Sequence, residues 1–65
     1  MQVSVNGQVE EIESQSLDSY LNSKLLLRRR IAVELNGEIV PKSQFSSVML
    51  VDGDVLEIIH AIGGG

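Results

Sequence analysis

Two Asn-Gly dipeptides, Asn6-Gly7 and Asn36-Gly37, set the frame for this chain. Asn-Gly supplies the consecutive positive φ values that a two-residue hairpin turn requires. Each dipeptide follows an alternating stretch. Met1, Val3 and Val5 alternate with Gln2 and Ser4, and Ile31, Val33 and Leu35 alternate with Ala32 and Glu34. Period-two alternation reads as a half-buried strand. The first turn returns into a strand over residues 8–13. There Val9 and Ile12 fall three apart, which signals a bulge or a strand ending near Glu11. The second turn returns into a short strand over residues 38–40. Pro41 lacks an N–H and so confines that strand to a sheet edge. Residues 48–51 are apolar but brief, Asp52-Gly53-Asp54 is a turn signal, and residues 55–60 form a last strand.

Between the two hairpins the period changes. Leu17, Tyr20, Leu21 and Leu25 fall at helical spacing and make one apolar stripe, with Ser19, Asn22, Ser23 and Lys24 on the other side. Of Ser14 and Ser16, which precede this pattern, Ser16 is the better N-cap candidate, its hydroxyl placed to accept from a free N–H of the first turn. Asp18 follows in that turn, where the helix dipole favours negative charge. The stripe predicts a helix ending near Leu26 or Leu27. Residues 42–47 are polar apart from Phe45 and read as a short turn or a single helical turn that delivers the ring to the core.

One helix must cover one face of a mixed sheet, because both elements are half apolar. The expected architecture is α+β: a β-grasp with four to five strands packed on one main helix. Its final strand lies centrally and parallel to the first. Residues 1–60 form this domain, and residues 61–65 form an extended, flexible glycine tail. Met1, Val3, Val5, Val33, Leu35, Leu56 and Ile58 lie under the helix, where Leu17, Leu21, Leu25 and Phe45 pack onto them. The same alternation leaves Ala32, Glu34, Glu57 and Ile59 on a face that no second helix covers. Beside the tail they form a candidate partner-binding patch.

Several functions are disfavoured. With no cysteine the chain has no disulfide, thiolate metal site or cysteine nucleophile. A net charge of −4 argues against non-specific nucleic-acid binding, which needs cations to neutralise phosphates. No apolar run approaches the roughly 20 residues that span a bilayer, and the start lacks the pattern of a signal peptide. The expected location is the cytoplasm. Asp52 and Asp54 lack the further oxygen ligands of a calcium loop, so no metal site is assigned. His60 has no partner nucleophile and reads as the residue where the last strand leaves the sheet. Arg28-Arg29-Arg30 reads as a solvated loop whose charge suits a helix C-terminus; a docking patch for an acidic partner is the alternative.

The ending, Ala61-Ile62-Gly63-Gly64-Gly65, offers no side chains to pack at its last three positions and pays the largest ordering cost there. What it offers is an unhindered carboxylate on a thin strand. Five extended residues reach about 17 Å. The carboxyl of Gly65 is therefore the candidate working group.

The whole chain resembles the ThiS family, small β-grasp, ubiquitin-like sulfur carriers of thiamine biosynthesis. The residues that carry the resemblance are Asn6-Gly7, the run Val33-Glu34-Leu35-Asn36-Gly37-Glu38-Ile39-Val40-Pro41, Asp52-Gly53-Asp54, and the ending from Ile58 to Gly65. The Arg28–Arg30 run matches no family motif. The resemblance implies that a ThiF-type adenylating enzyme uses ATP-Mg to convert the Gly65 carboxylate into an acyl-adenylate. A sulfur donor, such as a cysteine desulfurase or a rhodanese-type sulfurtransferase, then displaces AMP. The resulting thiocarboxylate passes its sulfur to thiazole synthase (ThiG-type). It implies Gly65 as the modified residue, with Gly64, Gly63 and Ile62 as the threaded tail. It also implies a carrier rather than an enzyme, with no cofactor of its own. The alternatives are a carrier of the molybdopterin synthase small-subunit type, a ubiquitin-like protein modifier, and an interaction module with an inert tail.

Overall fold

Both Asn-Gly turns adopt the conformation their composition predicts: φ is 51° and 84° at Asn6 and Gly7, and 53° and 87° at Asn36 and Gly37. Two positive φ values in succession match the twist of the flanking strands. The computed structural model describes residues 1–60; the expectations for residues 61–65 lie outside it. The first turn joins β1 (Gln2–Val5) to β2 (Gln8–Glu11), and the second joins β3 (Ile31–Leu35) to β4 (Glu38–Val40). The slip between Val9 and Ile12 is a strand end and not a bulge. The β1–β2 ladder closes at the Gln2–Glu11 pair. Ile12 then exchanges backbone hydrogen bonds with Met1 and packs against the core.

Ser16 caps α1 (Leu17–Ser23), its Oγ accepting from the Ser19 N–H at 3.0 Å, with Asp18 in the first turn. The helix is one turn shorter than its apolar pattern predicts. Lys24 is the C-cap and Leu25 enters the left-handed region at φ 61°. The Leu26 N–H donates back to the Leu21 carbonyl at 2.9 Å, and the Leu25 N–H to Asn22 at 3.0 Å. These paired bonds satisfy the last free carbonyls, with leucine in the place usually taken by glycine. A left-handed non-glycine residue costs about 1–2 kcal/mol. Leu25 is 81% exposed, so it does not pack under the helix as expected; Leu26 and Leu27 reach the core instead. Three consecutive leucines carry the same hydrophobicity, so periodicity could not show which of them the helix end would turn outward.

β4 is an edge strand, as Pro41 requires, and a 3₁₀ turn (Lys42–Gln44) delivers Phe45 into the core. Leu50 is also buried, though no period in residues 48–51 marked it. The Leu50 N–H donates to the Gln15 carbonyl at 3.0 Å, and Met49 bridges Ser16. The two aspartates that follow fasten the next turn. Asp52 accepts from the Gln2 N–H at 2.7 Å; the buried Asp54 accepts from the Val51 N–H at 2.8 Å and from Asn36 Nδ2 at 3.0 Å.

The sheet order is β2-β1-β5-β3-β4, with β5 (Val55–His60) in the centre, parallel to β1 and antiparallel to β3. One face carries Val3, Val33, Leu56 and Ile58 beneath Leu17, Tyr20 and Leu21. Tyr20 also ties α1 to β2: its hydroxyl donates to Glu10 at 2.8 Å, and Lys24 approaches the same carboxylate at 3.2 Å. The Tyr20 bond, with Lys24 behind it, holds the Glu10 carboxyl below its ordinary value, while burial pushes the Tyr20 phenol up.

The parallel ladder is short, pairing Ser4 with Val55 and Val5 with Leu56. Asn6 extends it by one step. Its side-chain Oδ1 accepts from the Ile58 N–H at 2.7 Å, and its Nδ2 donates to the Ile58 carbonyl at 3.3 Å. The amide of a turn residue thus stands in for a strand backbone. Asn6→Gly keeps the positive φ and removes that amide. Leaving the Ile58 groups without these partners costs on the order of 1–3 kcal/mol. The expected result is a lower urea midpoint at an unchanged m value.

Candidate functional site

The register of β5 decides what the uncovered side of the sheet displays. Ala32 lies opposite Ile59 and Glu34 opposite Glu57 on the β3–β5 pair. Directly paired residues share a face, so all four predicted patch residues stand together. They lie on the face opposite α1. Ile59 is 52% exposed, Ala32 and Glu57 are exposed, and Glu34 is half-buried.

The face is wider than those four residues. Val9 pairs with Ser4 and Ser4 with Val55, while Ile39 pairs with Glu34, so Val9, Val55 and Ile39 join it. Val9 is 69% and Ile39 62% exposed. Sequence reasoning missed all three, although the signal was there. A two-residue hairpin at Asn6-Gly7 forces Val5 against Gln8 and hence Ser4 against Val9. The same count at Asn36-Gly37 sets Glu34 against Ile39.

The electrostatics of the face are unusual. Glu34 and Glu57 are directly opposed, and like charges in that relation are destabilising. Among the described residues the ion pairs are Met1 amino with Glu11 and Lys24 with Glu10, so neither Glu34 nor Glu57 has a cation beside it. A face with several exposed aliphatic side chains and an uncompensated acidic pair is suited to a partner surface that is apolar with a cation near its centre.

His60 is the last residue of β5, pairs with Ile31 and is exposed. The chain passes from it directly into residue 61. Ile62, Gly63, Gly64 and Gly65 lie outside the described residues. Within those residues the candidate site is an anchored strand end beside an uncovered sheet face.

Two hairpins, one helix between them and a central parallel strand define a β-grasp protein. A crystal structure of ThiS from Geobacter metallireducens shares this fold at a TM-score of 0.85 and 30% identity, covering 100% of both chains. The model of the ThiS family matches residues 3–65, and the chain belongs to that family. Over 50 residues it is 40% identical to the sulfur carrier protein ThiS of Bacillus subtilis, covering 77% of this chain and 76% of that protein. Over 66 residues it is 41% identical to a thiazole synthase of Paramagnetospirillum magneticum. That match takes in all of this chain but spans 20% of the synthase.

The opposed glutamates make a prediction for the free protein. Glu34→Gln removes one charge from the pair and is expected to raise stability by at most about 1 kcal/mol. Thermal melts at low and high salt check it, since exposed charge effects fade with screening.

Proposed function

We propose that this chain is a sulfur carrier of thiamine biosynthesis whose reactive group is the Gly65 carboxylate. The observation that carries the proposal is the ThiS family match, which runs from residue 3 through the glycine-rich ending to residue 65. The likeness to the Bacillus subtilis carrier and to a thiazole synthase supports the same pathway.

The chemistry suits these residues. A carboxylate is a poor electrophile at neutral pH. Its oxygen attacks the α-phosphate of ATP on a ThiF-type adenylating enzyme, and pyrophosphate leaves. The acyl-adenylate then has AMP as a leaving group. The outer sulfur of a persulfide on a cysteine desulfurase or a rhodanese-type donor displaces AMP at the acyl carbon, giving an acyl disulfide. A thiol then attacks the donor-side sulfur, releasing the thiocarboxylate and leaving a disulfide on the donor. Thiazole synthase accepts that sulfur. Gly65, Gly64 and Gly63 carry no side chain to hinder a narrow channel, and Ile62 precedes them. With no cysteine, the chain has no thiol to capture its own activated end. ATP-Mg belongs to the partner; the carrier is a co-substrate and works in the cytoplasm, where ATP is supplied. Ile59, Ala32, Glu57 and Glu34 are assigned to partner binding.

Intact-mass analysis tests this. After incubation with the cognate adenylating enzyme, ATP-Mg and a sulfur donor, the chain gains the mass difference between sulfur and oxygen. Deleting Gly65 abolishes the gain while leaving the thermal melt unchanged. No gain by the full chain with an enzyme of verified activity overturns the proposal. Rescue of a thiamine auxotroph, and not of a molybdenum-cofactor auxotroph, separates it from the molybdopterin-type carrier.

A further inference from the structure

The connection between α1 and β3 holds two features that the sheet face does not explain. Leu25 is held in the left-handed region at φ 61° with 81% of its surface exposed. Non-glycine residues in such conformations persist where the surroundings fix them, and they cluster at functional sites. The other feature is Arg28-Arg29-Arg30, three of the five basic residues in a chain of net charge −4, all exposed. Their expected role at the helix C-terminus fails on geometry. α1 ends at Ser23 with no basic residue in its last turn, and the helix dipole acts only within that turn. Arg28 instead lines a surface groove with Asn22, Leu25 and Leu27.

The register places this cluster. Ile31, next after Arg30, pairs with His60, so the arginines stand at the sheet end where the chain continues into residue 61. We infer that Leu25 and the Arg28–Arg30 run form a second docking surface, at the root of the tail, for an acidic, partly apolar rim around the adenylating enzyme's channel. The inference rests on the carrier reading and adds to it how the tail is aimed.

Length decides what the arginines meet. Residues 61–65 can span at most about 17 Å. Charges in physiological salt are screened over about 8 Å. A tail threaded in extended form sets Gly65 beyond one screening length from the arginines, which then act at the channel mouth and not on the nucleotide's phosphates. Charge decides the sign. An acidic chain bringing a carboxylate to a triphosphate is repelled unless its leading end is locally positive, and complementary patches chiefly raise the association rate.

The test measures binding by calorimetry and turnover by mass gain, both with the cognate adenylating enzyme across a salt series. Arg28→Glu/Arg29→Glu/Arg30→Glu is expected to weaken Kd and raise KM on the order of tenfold or more, by loss of electrostatic steering. The effect falls on KM and not on kcat; binding of the natural chain weakens as salt rises, and that of the charge-reversed variant does not. The triple Arg→Lys variant restores most of the affinity. Leu25→Gly is expected to raise the melting temperature while weakening Kd, a split that a purely structural leucine would not give. Turnover with arginine-independent Kd, KM and salt response overturns the docking surface and leaves the carrier reading standing. Salt-dependent, arginine-dependent binding without mass gain supports the surface and overturns the carrier reading; absence of both overturns both.

Discussion

The pairing of β5 on both sides is the constraint on which the rest of this structure depends. The strand is laid down last in the sequence, yet it occupies the centre of the sheet. Its partners are separated from each other by the helix and its connections. β1 meets it through only two residue pairs and β3 through five. Turn side chains extend both ladders, Asn6 on the β1 side and Asn36 on the β3 side. Asn6 holds Ile58 by both its N–H and its carbonyl, and Asn36 Oδ1 accepts from the Val55 N–H at 2.9 Å. The residues that make the turns also lock the strand, so turn conformation and strand position cannot vary independently. That coupling matters in a chain of 65 residues, where a small core leaves little stability in reserve.

The hairpins, the helix start and the strands were legible because each rests on local chemistry: Asn-Gly for the turns, a serine hydroxyl for the cap, period two for the strands; the central place of the last strand followed from the order of the elements. The helix end was not legible. Leu25, Leu26 and Leu27 are equivalent in hydrophobicity, and the choice among them is made by which carbonyls the next N–H groups reach. Leu50 and Asp54 were missed for a related reason. Leu50 is buried by a non-periodic segment folding back onto Gln15, and Asp54 by hydrogen bonds to Val51 and to distant Asn36. Non-local partners leave no trace in spacing. The sheet face was half read: alternation along single strands found Ala32, Glu34, Glu57 and Ile59, while Val9, Val55 and Ile39 needed the register between strands.

The features that run against local preference are grouped. Glu34 and Glu57 face each other across the β3–β5 pair, Ile59 is exposed beside Ala32, and Leu25 takes a conformation better suited to glycine in the connection that leads into β3. Other exposed apolar residues, Val9, Met49 and Val51, lie away from that strand, while caps match termini and the buried carboxylate of Asp54 has its donors. Natural sequences are locally consistent except where function demands otherwise.

The sign of charge divides the surface further. The open face sets an acidic pair among exposed aliphatic side chains, and the only run of consecutive cations sits at the root of the ending. A partner that complements the face is apolar with a cation near its centre, and one that complements the root is acidic. No single-sign surface satisfies both, so only one rotation of the carrier about the axis of β5 suits a given partner. For a domain whose proposed working group is one carboxylate at the end of a thin strand, the direction of approach is the main property the folded part can control. The clamps of Asn6 and Asn36 on β5 give that direction mechanical meaning, because they fix the strand from which the ending departs relative to both charged surfaces.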